Sequence, residues 1–169
     1  MTLAYLPLAI FSFCMIYAAI TDSAAMRISN KLCLAIIVSF VLMTPFAWAG
    51  WGVFLEHLAV GGIFFAAGFI MFAVGGLGGG DAKMMAATAL WWTWSDVLSY
   101  VLMVTFLGGV LAIALIAGRK YVPVSLATGS LTSRLFSDEK KLPYGIALGL
   151  GALIVLPSSD ILQRALFGG

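Results

Sequence analysis

The chain has 169 residues, of which 63% are hydrophobic and only 9% charged, and its mean hydropathy is +1.11. Soluble domains carry about 25% charged and about 45–50% apolar residues, so a soluble globule of this size would leave too much apolar surface in water. The net charge of +2 is no electrostatic footprint for nucleic acid, and disorder needs the opposite balance of charge and hydrophobicity; the class left is a multi-pass membrane protein.

A bilayer core about 30 Å thick needs about 20 apolar helical residues. Apolar stretches run over 3–20, 32–48, 52–74, 82–95, 98–117 and 143–157. They are long and unbroken, unlike the alternating segments of a β-barrel. The expectation is an all-α membrane protein with six transmembrane helices in one domain, 1–169. No basic residue precedes Arg27, so the first stretch reads as a span and not as a cleaved secretory signal.

Orientation follows from the bias of Lys and Arg towards inner loops. Arg27, Lys31, Lys83, Arg119, Lys120, Arg134, Lys140 and Lys141 fall in alternate connections, and Arg164 alone falls on the other side. That places the N-terminus outside. Trp48, Trp51, Trp91, Trp92, Trp94 and Tyr100 then gather at the outer ends of spans, as an aromatic belt would. Cys14 and Cys33 lie at different depths and read as two small core residues, with no disulfide and no metal. His57 is the single histidine. Without H-E-x-x-H it reads as an interfacial residue beside Glu56.

Acids within or beside spans are expensive and usually functional. Glu56, Asp96 and Asp160 read as solvated charges near the outer surface. Asp138 and Glu139 read the same way beside Lys140 and Lys141 in the long inner loop, 118–142. There Leu126, Leu131, Leu135 and Phe136 form either an interfacial stripe or part of a plain loop. Asp22 and Asp81 differ, because each is the only acid in its connection and each sits at the inner end of a span. Asp81 follows Gly75-Gly76-Leu77-Gly78-Gly79-Gly80, a run too rich in glycine for a comfortable helix. Non-helical backbone near membrane depth must border protein or a wet cavity. Two lone carboxylates at one depth suggest an aspartic pair sharing a proton, one acid activating water and the other polarising a carbonyl. Asp81 opens a helix and Asp22 ends one, so helix dipoles suggest Asp81 as resting base and Asp22 as resting acid. Two solvated loop acids near Arg27 and Lys83 are the plainer alternative.

These residues resemble a family. Gly78-Gly79-Gly80-Asp81-Ala82-Lys83 resembles the G-x-G-D-x-K motif of type IV prepilin peptidases. Asp22 followed by Arg27-Ile28-Ser29-Asn30 resembles their first-aspartate motif, and Pro143-Tyr144-Gly145 resembles the segment opening their last core span. The resemblance implies an aspartic intramembrane endopeptidase of the bacterial inner membrane, with Asp22 and Asp81 catalytic at the cytoplasmic edge. It implies removal of a short basic leader from prepilin or pseudopilin precursors, with pilus assembly machinery as a further partner and no cofactor. Lys83 would hold the pair's charge, dock a substrate carboxylate or simply anchor the inner face. Arg27 and Asn30 would fix the first cytoplasmic segment, Gly78 and Gly80 belong to the glycine motif, Tyr144 would bond near the site, and Pro143 and Gly145 would shape a helix start. Larger bifunctional members carry paired C-x-x-C motifs and also methylate the new N-terminus. The connection after Asp22 is short and lacks such cysteines, so the chain resembles the minimal CpaA-like form of Flp/Tad pili, with neither zinc nor methyl transfer implied. The alternatives are an archaeal-type preflagellin peptidase, a small ion-coupled transporter using both aspartates, and a non-catalytic assembly subunit.

Overall fold

The computed structural model describes residues 2–121 and 143–167, and all regular structure among them is helical. A 3-10 turn leads into α1 (Tyr5–Ala25), followed by α2 (Asn30–Met43), α3 (Trp51–Ala73), α4 (Gly79–Ala89) and α5 (Trp94–Tyr121). Then come α6 (Tyr144–Val155), a 3-10 turn (Leu156–Ser158) and α7 (Asp160–Phe167). Most of the 118–142 loop, with its apolar stripe and its Asp138, Glu139, Lys140 and Lys141, lies outside the described residues.

Three helices are long and apolar enough to cross a membrane, over Tyr5–Ala25, Trp51–Ala73 and Trp94–Gly118. A fourth crossing exists if α6 and α7, bent by 44° at their junction, count as one span. The six full-length spans expected from composition are therefore not all present as long helices. The reason is local. Helix α2 stops at Met43, two residues before Pro45, which has no backbone N–H to continue the hydrogen-bond ladder. Its 14 residues rise about 21 Å. Helix α4 has 11 residues and rises about 16 Å. The apolar stretch 82–95 continues past its end, but Leu90–Thr93 forms a turn.

That turn moves the aromatic residues. Trp91, Trp92 and Tyr100 are fully buried, not set in an interfacial belt. Phe11 of α1 lies 4.1 Å from Trp91 between ring centroids, and Trp92 lies 5.1 Å from Tyr100. The Trp91 indole N–H donates to the Ile36 carbonyl at 3.4 Å. Trp48, Trp51 and Trp94 stay exposed, as a belt requires. Around this centre α4 packs on α3, α2 and α6, while α6 packs on α1 and α5. Helices approach closely where side chains are small. A Cβ at Gly149 of α6 would lie 2.6 Å from the Met15 carbonyl oxygen of α1.

Glu56, Asp96 and Asp160 are structural, which corrects their reading as solvated charges. The N-termini of α5 and α7 expose N–H groups that need acceptors. Glu56 Oε1 accepts the Trp94 N–H at 2.7 Å, and buried Asp96 accepts the Asp160 N–H at 3.0 Å. Asp160 in turn accepts from Ser95 at 2.9 Å and from Arg164 at 3.3 Å. His57 is buried too, its Nδ1 donating to the Leu90 carbonyl at 2.9 Å.

The close α1–α6 contact makes a stability prediction. Gly149→Val should destabilise the fold in detergent by about 1–3 kcal/mol, the usual cost of overpacking. Gly109→Val, where a Cβ meets nothing within 4 Å, should change it by less than about 0.5 kcal/mol. Equal effects from the two would contradict the packing described.

Candidate active site

Asp22 lies in the last turn of α1 and is almost fully buried. The helix ends at Met26, which adopts left-handed backbone with φ 48°, its N–H bonded to the Asp22 carbonyl at 2.8 Å. Such backbone costs a non-glycine residue about 1–2 kcal/mol, and it turns the chain sharply out of α1. Ser29 then caps α2, its Oγ accepting the Leu32 N–H at 3.2 Å. The segment 26–30 is thus held at both ends.

Asp81 arrives from the other side. Helix α3 ends at Ala73, the glycine run follows, and α4 starts at Gly79 with Asp81 in its first turn. The glycines of the motif have steric reasons. A Cβ at Gly78 would meet Asp81 Oδ2 at 2.7 Å, and one at Gly80 would meet the Ile28 Cβ at 3.1 Å. The first turn of α4 therefore sits directly against the 26–30 segment.

Helix α6 supplies the third wall. Pro143 is its buried N-cap, Tyr144 its half-exposed first residue and Gly145 its second. The Gly145 backbone N–H donates to Asp22 Oδ2 at 2.7 Å. A helix N-terminus, positive in its dipole, thus faces Asp22. The expectation from helix ends counted only the C-terminus of Asp22's own helix, and so missed this donor.

Asp22, Met26, Arg27, Ile28, Ser29, Asn30, the run Gly75–Gly80, Asp81 and Tyr144 line one groove of about 880 Å³. Both expected carboxylates are on its wall. Burial pushes the Asp81 carboxyl up to about 7 and the nearby Asp22 carboxylate adds to the rise, with the Gly78 backbone N–H opposing. Asp81 Oδ1 is buried with no hydrogen-bond partner. A pair in which one acid raises the pKa of the other can hold a single proton near neutral pH and can present one acid and one base to a bound carbonyl.

The supporting residues fall into place differently from the expectation. Ser29, and not Asn30, caps the start of α2. Instead Asn30 Oδ1 accepts from Lys83 Nζ at 3.0 Å, joining the N-termini of α2 and α4. Lys83 therefore braces the two motifs through a neutral partner. Arg27 is exposed on the groove wall and forms no ion pair among the described residues. Ser29 is absent from the expectation, and Gly145 enters it only as shaping a helix start. The Ser29 cap was readable, as a serine directly before an apolar helix. The Gly145 donor had no local signal. Among the described residues no group of three or more His, Cys, Asp or Glu is placed to hold a metal.

The Lys83–Asn30 contact is exposed, so its effect is modest. In a double-mutant cycle Lys83→Met and Asn30→Ala should couple by about 0.5–1 kcal/mol, and either should speed amide exchange in 26–30. Purely additive effects with unchanged exchange would contradict the brace.

Comparison with known proteins bears on these residues. The pattern of the type IV leader peptidase family matches residues 9–113, which include both aspartates and the glycine run. The "Prepilin leader peptidase/N-methyltransferase" of Bacillus subtilis (strain 168) is 27% identical over 168 residues, covering 94% of this chain. The chain spans 58% of that relative's length. No solved structure matches significantly. With most of its helices inside the matched region, the chain belongs to the type IV leader peptidase family of aspartic peptidases.

Proposed function

We propose that the protein is an intramembrane aspartic endopeptidase that removes the short basic leader from type IV, Flp-type prepilin or pseudopilin precursors. The observation that carries this reading is the placement of Asp22 and Asp81 on one groove wall, with the Asp22 charge acting on Asp81. Family membership supports the activity, and the printed name of the Bacillus relative supports the substrate class.

In this reading the basic residues near the groove mark the cytoplasmic side, the N-terminus lies outside, and the short helices α2 and α4 complete six passages of a single membrane domain. A groove open to water at the inner face brings water to a peptide bond lying just before a membrane helix. One carboxylate takes a proton from water as the water oxygen attacks the scissile carbonyl carbon. The other, protonated, donates to the carbonyl oxygen. Cleavage proceeds without methyl transfer: Cys14 and Cys33 are both buried and neither belongs to a C-x-x-C pair. The pilus assembly machinery receives the product.

Co-expression with a candidate prepilin tests this directly. Asp22→Ala and Asp81→Ala should each lower leader removal by at least about a hundredfold, the scale of acid–base catalysis, while membrane levels of the protein persist. Full processing in either variant would overturn the proposal. The pH dependence has a definite sign. The pair must keep one proton, and Asp81 titrates at about 7, so kcat/KM of the free enzyme should fall as pH rises through that value. A rate that climbs steadily across that range would contradict the assignment.

A further inference from the structure

The two carboxylates have unlike surroundings. Asp22 Oδ2 accepts the Gly145 N–H at 2.7 Å. This N–H belongs to the first turn of α6, where backbone donors have no intrahelical acceptor and the helix dipole is positive. Such a donor favours the ionised form of a carboxylate. A Cβ at position 145 would lie 2.8 Å from both the Cβ and Oδ2 of Asp22, so only glycine allows the donor to approach this closely. Asp81 also lies at a helix start, that of α4, with the Gly78 N–H nearby, but its two oxygens are not both served. Its Oδ1 is buried and without a partner, a costly place for a charge but a suitable one for a carboxyl O–H awaiting an acceptor.

We infer that Gly145 is a positioning residue that holds Asp22 as the ionised base of the resting pair, leaving the pair's proton on Asp81 for delivery to the substrate carbonyl. The inference rests on the leader-peptidase reading above and reverses the assignment suggested by the ends of α1 and α4 alone. The step balances. Asp22 removes a proton from water, the water oxygen bonds to the carbonyl carbon, and the Asp81 proton moves to the carbonyl oxygen. In the collapse the proton on Asp22 passes to the departing nitrogen and the C–N bond breaks. A diol hydroxyl returns its proton to Asp81 as the new carboxyl carbonyl forms. Each turnover ends with Asp22 ionised beside Gly145 again.

Among the described residues, the titratable and charged groups around Asp22 are Asp81 from α4, Tyr144 from α6 and Arg27 from the α1–α2 connection, all on the groove wall. Lys83 of α4 is bonded to Asn30, and Cys33 of α2 is buried in the core. None of these is a direct hydrogen-bond donor to Asp22, so the acid limb of the rate profile reports the Gly145 contact.

The test replaces glycine 145 by glycolic acid during cell-free synthesis of the full chain into lipid nanodiscs. The exchange of N–H for ester oxygen removes the donor and adds no side chain. Hydrogen bonds to charged groups contribute enough to move a pKa by about one to two units. The acid limb of kcat/KM for prepilin cleavage should therefore move up by about one unit or more, with the alkaline limb in place. A profile lowered in height with both limbs unmoved would overturn the positioning role. Infrared difference spectra of the full-length variants supply a second, substrate-free readout. As pH is lowered, the protonated carboxyl band, present in the unaltered protein below about 7, should appear at a higher pH in Asp22→Asn, where Asp81 remains, than in Asp81→Asn. The reverse order would overturn the proton assignment. Cleavage retained by both Asp22→Ala and Asp81→Ala would overturn the leader-peptidase reading itself, independently of where the infrared band resides.

Discussion

A carboxylate removed from water must find donors or give up its charge, and this constraint organises the molecule. With so few charged residues, each acid in the described region shows its own solution. Asp22 receives a backbone donor from the start of α6. Asp81, lacking a partner at Oδ1, titrates near neutrality. At the opposite end Glu56 and Asp96 accept the unpaired N–H groups of two helix starts. The same chemistry thus serves architecture at one end of the bundle and reactivity at the other.

The short helices follow from the same economy of contacts. A bundle made only of long spans would leave no wet groove beside an apolar core. Because α4 has 11 residues and α2 has 14, the backbone leaves helical form inside the bundle. At one end this produces the groove lined by 26–30 and 75–80. At the other it drives Trp91 and Trp92 into the core between α1 and α5. The aromatic centre fixes one end of α4, and the Lys83–Asn30 contact braces the other, where Asp81 begins.

Much of this was legible in the sequence, for physical reasons that also mark where legibility stops. Composition sufficed for an all-helical membrane protein, and hydropathy located α1, α3 and α5 within a few residues, because long apolar helices have a one-dimensional signature. It failed over 82–95, since hydropathy cannot separate an apolar turn at Leu90–Thr93 from a continuing helix. The aspartates stood out because each is isolated at a span end and surrounded by its motif. The supporting residues were named with their motifs, but their contacts were not legible. Gly145 is 123 positions from Asp22, and Lys83 is 53 from Asn30, distances no local pattern bridges. The belt reading of Trp91, Trp92 and Tyr100 and the solvated reading of Asp96 failed for one shared reason: residues beside a short helix lie inside the bundle even when they lie near a span end in sequence.

The central claim is that Asp22 and Asp81 behave as one electrostatic unit. Carbon-13 NMR titration of aspartate carboxyls in the full-length protein in nanodiscs measures this most directly. In the unaltered protein the Asp81 signal should titrate at about 7. In Asp22→Asn, with the neighbouring negative charge gone, it should titrate distinctly lower. An unchanged Asp81 midpoint in that variant would mean that the two carboxylates do not sense each other, and would contradict the account.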